Sequence, residues 1–543
     1  MPTAGTTRAA TRMGAATLTS RLIGFVRIWT ITAVLGTTYL GNTYQASSSF
    51  SNVVFELLAA GALSAVLVPT FVERFEAHDQ AGAERLAGGL LGLALVGLGA
   101  LSVAGVLAAP WIARLLVAGA EDPAVAARQE ALATFLLRFF VPQIVLYAWG
   151  TISTAVLFAR RRFVPTAIAP VANTVAVVTA LVVFRALHGP TPSLEVTFAE
   201  RLTLALGGTF GVLGFVGVPA LALWRSGFRL VPRLAPADPA LRRLLRLSGW
   251  AVLQHAGIGV LLGAAIVMGN RVEGGVVAYQ FAFVAFLAPY AILAQPVNTT
   301  ILPDLTLDAA RGDDAGFART VRWALGAMGV LTLPVTGAYL ALAGPAMEVI
   351  AIGGSRGGAG RLAAALASLG LGLYGYAAFL LLARAFYARG DSRTPALVAL
   401  GTAVVGAGVM VAGALATRGD ARVAALGIGH TVAYLLGALL LGTRLRRVLR
   451  APLFPIELWR AGALSGLLAL FAWVVARAAD PGGRLGRLVL VVTVTGAGAA
   501  VVWAAHRWLA VRPVAAPAGL RATGTGPDAG ADVGAEPGWE QET

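Results

Sequence analysis

MGAATLTSRLIGFVRIWTITAVL, residues 13–35, is the stretch on which the reading of this chain turns. It is apolar over the roughly 20 residues that a helix needs to cross a bilayer, yet it carries Arg21 and Arg27. An arginine near the bilayer midplane costs from about 2.5 to more than 10 kcal/mol, so it persists only where it faces a polar cavity or a partner. At 1.5 Å per residue Arg27 lies about 20 Å into the segment, too deep to snorkel, whereas Arg21 is nearer the start. The two are about 120° apart around the helix, with Gly24 between them leaving room for close approach. The expectation is an anion-binding pathway through a membrane.

Composition agrees. The 543 residues are 57% hydrophobic and only 13% charged, against about 25% charged in a soluble domain. The fold class expected is an all-α polytopic membrane protein. The formal charge of +16 comes from arginines scattered between apolar segments, and none of the 42 basic residues is lysine. Such scatter reads as topology signals and contacts to anionic lipid, with no role for nucleic acid. The absence of cysteine excludes disulfides, thiolate metal sites and cysteine nucleophiles. No cleavable signal is expected, because the first apolar segment is long, holds two arginines and lacks a small-x-small cleavage site.

About 14 transmembrane helices are expected, near 13–37, 48–72, 86–112, 131–158, 163–185, 201–224, 247–270, 275–302, 320–343, 362–387, 395–417, 422–443, 457–478 and 485–507. With the N-terminus in the cytoplasm and arginines at helix ends assigned to the nearer face, 27 lie inside and 12 outside, leaving Arg21, Arg27 and Arg138 in the helices. That bias follows the positive-inside rule and places both termini in the cytoplasm. FARRRFVPTAIAP (158–170) and FYARGDSRTPALVA (386–399) form a weak repeat: an aromatic, a short basic loop, then a proline-bearing helix start. The repeat predicts two like-oriented six-helix lobes plus two C-terminal helices, a transporter architecture with the substrate site between the lobes. The divisions expected are a cytoplasmic N-terminus (1–12), an N-lobe (13–224), a basic amphipathic linker (225–246), a C-lobe (247–443), two appended helices (444–509) and a disordered cytoplasmic tail (510–543).

Besides Arg21 and Arg27, the candidate substrate ligands are Asn42, Asn52, Glu56 and Arg138. Glu56 is the carboxylate well inside the second segment and the natural resting partner for either arginine. Asn42 and Asn52 bound a polar run that suggests the mouth of a hydrated cavity between helices 1 and 2. Arg138 either lines the same cavity or snorkels to the outer interface. His255 and His430 read as hydrogen-bonded packing elements rather than a proton relay. No HExxH or other paired metal spacing, P-loop or complete dinucleotide fingerprint occurs, so no catalytic residue, metal or cofactor is expected, and the run GGTFGVLGFVG (207–217) reads as close helix packing. Pro69, Pro142, Pro289, Pro296 and Pro334 are candidate kinks.

SRLIGFVRIWTITAVLG (20–36) and FELLAAGALSAVLVPTF (55–71) resemble the opening of the MurJ/MviN family of lipid II flippases. The match rests on Ser20, Arg21, Gly24, Phe25 and Arg27, then Gly61, Ala62, Ser64, Val68 and Pro69, with FYARGDSRTP (386–395) similar to the family's second-lobe motif. The resemblance implies a multi-pass transporter of the bacterial cytoplasmic membrane, not an enzyme. It would move polyprenyl-diphosphate-linked peptidoglycan precursor from the inner to the outer leaflet by alternating access. It also supplies the anion, a diphosphate, which suits paired guanidinium groups. Expected partners are that lipid-linked diphosphate oligosaccharide, membrane lipids and cell-wall synthesis enzymes, with the chain acting as a monomer. Asn42, Phe55, Glu56, Ala60 and Val284 depart from the pattern of the better-known members, which places the chain with a high-GC Gram-positive sub-branch. The alternatives are a flippase for another polyprenyl-diphosphate oligosaccharide, a cation-coupled antiporter of the same superfamily, and a non-transporting scaffold for cell-wall enzymes.

Overall fold

The computed structural model describes residues 22–62, 67–234, 239–479 and 481–509, with side chains placed except at 54–62, 239–252 and 506–509. Among the described residues every regular element is helical. The N-terminal half runs α1 (Leu22–Leu35), α2 (Tyr39–Ala62), α3 (Val68–Glu76), α4 (Gln80–Leu107), α5 (Ala109–Val117), α6 (Pro123–Phe140), α7 (Gln143–Ala159), α8 (Val164–His188) and α9 (Phe198–Arg225). The C-terminal half runs α10 (Pro239–Gly269), α11 (Gly275–Pro289), α12 (Gln295–Thr300), α13 (Leu302–Arg311), α14 (Asp314–Ile350), α15 (Ala359–Gly370), α16 (Leu373–Ala388), α17 (Arg393–Ala416), α18 (Gly419–Leu449), α19 (Ile456–Ala479) and α20 (Gly483–Leu509). Among the described residues ten helical spans, with Pro123–Ala159 and Gly275–Arg311 each taken as one, are long and apolar enough to cross a membrane, eleven when the pair Gly353–Gly370 and Leu373–Ala388, bent by 42°, is also taken as one.

The helix starts follow local chemistry. Asp79, Asp122 and Asp313 each accept a hydrogen bond from a backbone N–H of the first turn, and Thr197 with Glu200 forms a capping box. These side chains satisfy donors that a helix N-terminus leaves open. Prolines act unequally. Pro142 sits at the break between α6 and α7, and Pro289 precedes a π-helical turn over Tyr290–Ala294. Pro69 and Pro296 occupy first turns, where a missing N–H costs nothing, and α14 runs unbroken through Pro334.

The polar run corrects the expectation for the second helix. α2 begins at Tyr39, not near residue 48, so Asn42 through Asn52 are helical. Six polar residues of this stretch (Asn42, Thr43, Gln45, Ser47, Ser49 and Ser51) are buried. The run is uncharged and faces protein, so packing overrides its loop-like composition. The glycine run behaves as expected: a methyl built on Gly207 would stand 2.2 Å from the Ala180 side chain, and one on Gly211 would stand 2.9 Å from Val177. α8 and α9 can therefore approach only because those side chains are absent.

The repeat is visible in the two basic connections. After α7, Arg161 N–H bonds the Phe158 carbonyl and Arg162 N–H bonds that of Leu157; after α16, Gly390 and Asp391 donate likewise to Tyr387 and Phe386. Arg160 stacks over Phe75 and Phe228 at 4.8 and 5.1 Å, and Arg389 lies 5.5 Å over Phe317. One residue breaks the likeness. Gly390 has φ 77°, and the position matching it holds Arg161 at φ 58°. Left-handed backbone costs an L-residue about 1 kcal/mol or more, which glycine avoids.

Candidate functional site

The two halves meet along a seam that is sealed at one face. Asn42, fully buried, accepts from the N–H groups of Val276 and Val277 at 3.0 and 3.3 Å and donates to the Val272 carbonyl at 3.0 Å. Asn270, also fully buried, donates to the Leu116 carbonyl at 2.8 Å and accepts from Gln129 at 3.1 Å. Glu121 bridges Arg271 at 2.7 Å and Arg422 at 3.0 Å. The Arg422 guanidinium, backed by Arg271, holds the Glu121 carboxyl below the usual carboxylate range. Arg361 donates to the Thr37 carbonyl at 3.2 Å and to the Glu273 carbonyl, and the Trp29 indole donates to the Ile350 carbonyl at 3.0 Å. Backbones touch where side chains would intrude: Gly274, at φ 74°, leaves 2.3 Å between a built methyl and the Thr37 carbonyl group.

Asn42, expected as a substrate ligand, here clamps the two halves together. Its amide is spent on second-half backbone.

Below the seal lies Arg27, about 12 Å from the end of α1. It is half-buried and donates to the Asn173 side-chain oxygen on α8 at 3.3 Å. No carboxylate pairs with it among the described side chains. α1 is held on both sides, since Thr174 on α8 donates to the Ile23 carbonyl at 3.4 Å and Phe25 meets Phe281 of α11 at 5.5 Å. Gln280 of α11 donates to Ser49 of α2 at 2.9 Å, a further polar cross-link between the halves.

The other candidates scatter. Asn52 is exposed on α2 and accepts from the Tyr147 hydroxyl at 2.8 Å. Arg138 is exposed on the side of its helix away from α2, which is met by Phe140 and Tyr147; the structure does not bring it to Arg27. Arg21 lies outside the described residues and Glu56 outside the described side chains. Val284 is a partly buried core neighbour on α11. His430 shares a 2.8 Å hydrogen bond with Tyr279 and packs against Phe283, Phe286 and Tyr434, a packing node within the C-terminal half.

Beside α1 is an apolar cavity of about 510 Å³, lined by Phe25, Phe281, Pro334, Tyr339, Phe471 and Val494 among others. Phe25 and Arg27 are two positions apart and so point about 200° apart around α1: one side chain faces the cavity of α14, α19 and α20, the other faces α8.

The chain is similar to known proteins in sequence and in fold. The family model described as "Lipid II flippase MurJ" matches residues 31–480. The chain belongs to the MurJ family. Similar relatives include a "Probable lipid II flippase MurJ" of Rhizobium tropici, 26% identical over 389 residues covering 70% of this chain and 71% of the relative. The "Lipid II flippase MurJ" of Burkholderia cenocepacia is 26% identical over 398 residues, 72% of this chain and 74% of the relative. Among solved structures, "Lipid II flippase MurJ, inward closed conformation" aligns with a TM-score of 0.68 and 17% identity, covering 90% of this chain and 98% of that one; at that identity the likeness carries the fold.

Sequence reasoning missed Asn173, Glu121, Arg271, Arg361 and Arg422. Asn173 and Thr174 carried a signal, being polar residues inside VPTAIAPVANTVAVV just after Pro170. The seam charges carried none, because they read as ordinary loop residues until the fold brings them together.

Proposed function

We propose that this MurJ-family chain is a transporter, not an enzyme, that moves lipid II from the inner to the outer leaflet by alternating access. The observation that carries the reading is the arrangement on α1. Arg27 offers a guanidinium with only a neutral partner, near mid-membrane and under a sealed seam, while Phe25 opens the other side of the same helix to an apolar cavity. A diphosphate takes Arg27 through charge-assisted hydrogen bonds, stronger than the bond to Asn173 that it displaces. The polyprenyl chain follows the cavity beside α19 and α20. Arg21 and Glu56 complete the site, Glu56 as the carboxylate that the diphosphate exchanges with. Outward movement of an anion down an inside-negative potential gains about 2.3 kcal/mol per charge per 100 mV.

In this reading the sealed face is the outer one and both termini are cytoplasmic, as the arginine bias requires. The bent pair together with α1, α2 and α10 brings the spans to fourteen, divided into lobes 13–224 and 247–443 with 444–509 appended. The protein works as a monomer beside cell-wall synthesis enzymes and belongs to the high-GC Gram-positive branch. The test is depletion of the chain with a surface-accessibility assay for lipid II, rescued by wild type or Arg27→Ala. Wild type restores outward lipid II and Arg27→Ala does not; undiminished outward lipid II on depletion overturns the proposal.

A further inference from the structure

Arg161 keeps a strained backbone where the second copy of the repeat uses Gly390. A glycine would suit the turn better, so the side chain at this position earns its place. Its neighbours show for what. Arg160 is already spent on Phe75, Phe228 and the Ser226 hydroxyl at 3.1 Å, and Arg74 is spent on Asp79 at 2.7 Å. Arg161 is exposed, and beyond its backbone turn bond its guanidinium makes no hydrogen bond or ion pair among the described residues. It borders a groove of about 530 Å³, walled by Val68, Val72 and Phe75 of α3 and by Phe158 and Phe163 across the turn. That is the volume class of small-molecule sites.

Glu76, the last residue of α3, lines the same groove. It too is exposed and unpaired among the described residues. A cation and an anion therefore share one rim without closing on each other, above an apolar wall. α3 suits a membrane surface: its Phe71 is fully buried while Glu73 and Glu76 face outward. An anion alone would meet Glu76 and an amine alone would meet Arg161. A ligand carrying both charges and an apolar chain satisfies the whole rim.

We propose that this groove, on the face opposite the seal, binds a phospholipid with an amine-bearing headgroup. The phosphate sits on Arg161, the ammonium sits on Glu76, and an acyl chain lies along the valines and phenylalanines. The site is separate from the seam and does not depend on which substrate the seam carries.

The test follows thermal unfolding of the full chain in an uncharged detergent. Phosphatidylethanolamine, phosphatidylglycerol, phosphatidylcholine or inorganic phosphate is added in turn. For wild type, phosphatidylethanolamine raises the midpoint more than either other lipid, and inorganic phosphate leaves it unchanged. Arg161→Gly raises the lipid-free midpoint by about 1 °C as the backbone relaxes, yet loses at least half of the phosphatidylethanolamine shift. Arg161→Lys retains that shift, and Glu76→Gln loses the preference over phosphatidylglycerol. A full shift in Arg161→Gly, or a preference that survives Glu76→Gln, overturns the assignment. An equal wild-type response to phosphatidylglycerol or to free phosphate overturns it as well.

Discussion

The seal and the chamber beneath it use the same residue types to opposite ends. At the seal, Asn42 and Asn270 are buried with their amides bonded across the seam, and Glu121 neutralises two arginines. At the chamber, Arg27 has one long bond to a neutral oxygen. Satisfied polar groups hold two bodies together, because removing a partner leaves a buried group unpaired. A guanidinium whose one partner is neutral is, in the function proposed above, the group that takes the ligand. The difference is one of bookkeeping between donors and acceptors, not of residue chemistry.

The sharpest way to break this contrast is at Arg27. Arg27→Ala removes charge-assisted bonds worth about 1.5–3 kcal/mol, so transport in a surface-accessibility assay falls at least tenfold. Arg27→Lys keeps the charge without the planar fork and retains an intermediate rate; equal rates for Lys and Arg would show that a point charge suffices. Next is Gly274→Ala. Its methyl meets the Thr37 carbonyl group, and its φ of 74° is unfavourable for alanine by about 1 kcal/mol or more. The variant loosens the seal, read as faster thiol labelling of a cysteine placed at Thr43. Unchanged labelling would mean that the halves meet elsewhere.

Glu121 tests the charged part of the seal. Its carboxyl titrates lower in the closed state than when the halves part, so its contribution is complete above the ordinary carboxylate range. That contribution is lost as pH falls through the lowered value. Acidification therefore speeds labelling at position 43 in wild type, and Glu121→Gln labels fast at every pH. A variant that still responds to acid would assign the response to another group. The smallest effect expected is that of Asn173→Ala. The ligand displaces that bond, worth about 1 kcal/mol, so transport stays within about threefold of wild type; a loss as large as that of Arg27→Ala would make Asn173 a ligand in its own right.

Much of the fold was legible because membrane helices announce themselves by length and hydropathy. The polar start of α2 was not, since Asn, Ser and Gln favour loops unless neighbours bury them. Arg27 was legible because a charge in an apolar segment needs a reason. Arg138 looked similar, but its helix turns it away from α2, and a one-dimensional reading cannot give that direction.

What the chain settles alone is where apolar segments lie, which of them carry arginine, and which loops are basic, since these follow from transfer energies that each segment meets by itself. What only the tertiary structure decides is pairing. Asn42 and Val272 are 230 positions apart, and Glu121 and Arg422 are 301 apart. Whether a polar group is satisfied depends on such distant partners, and no segment read by itself supplies them.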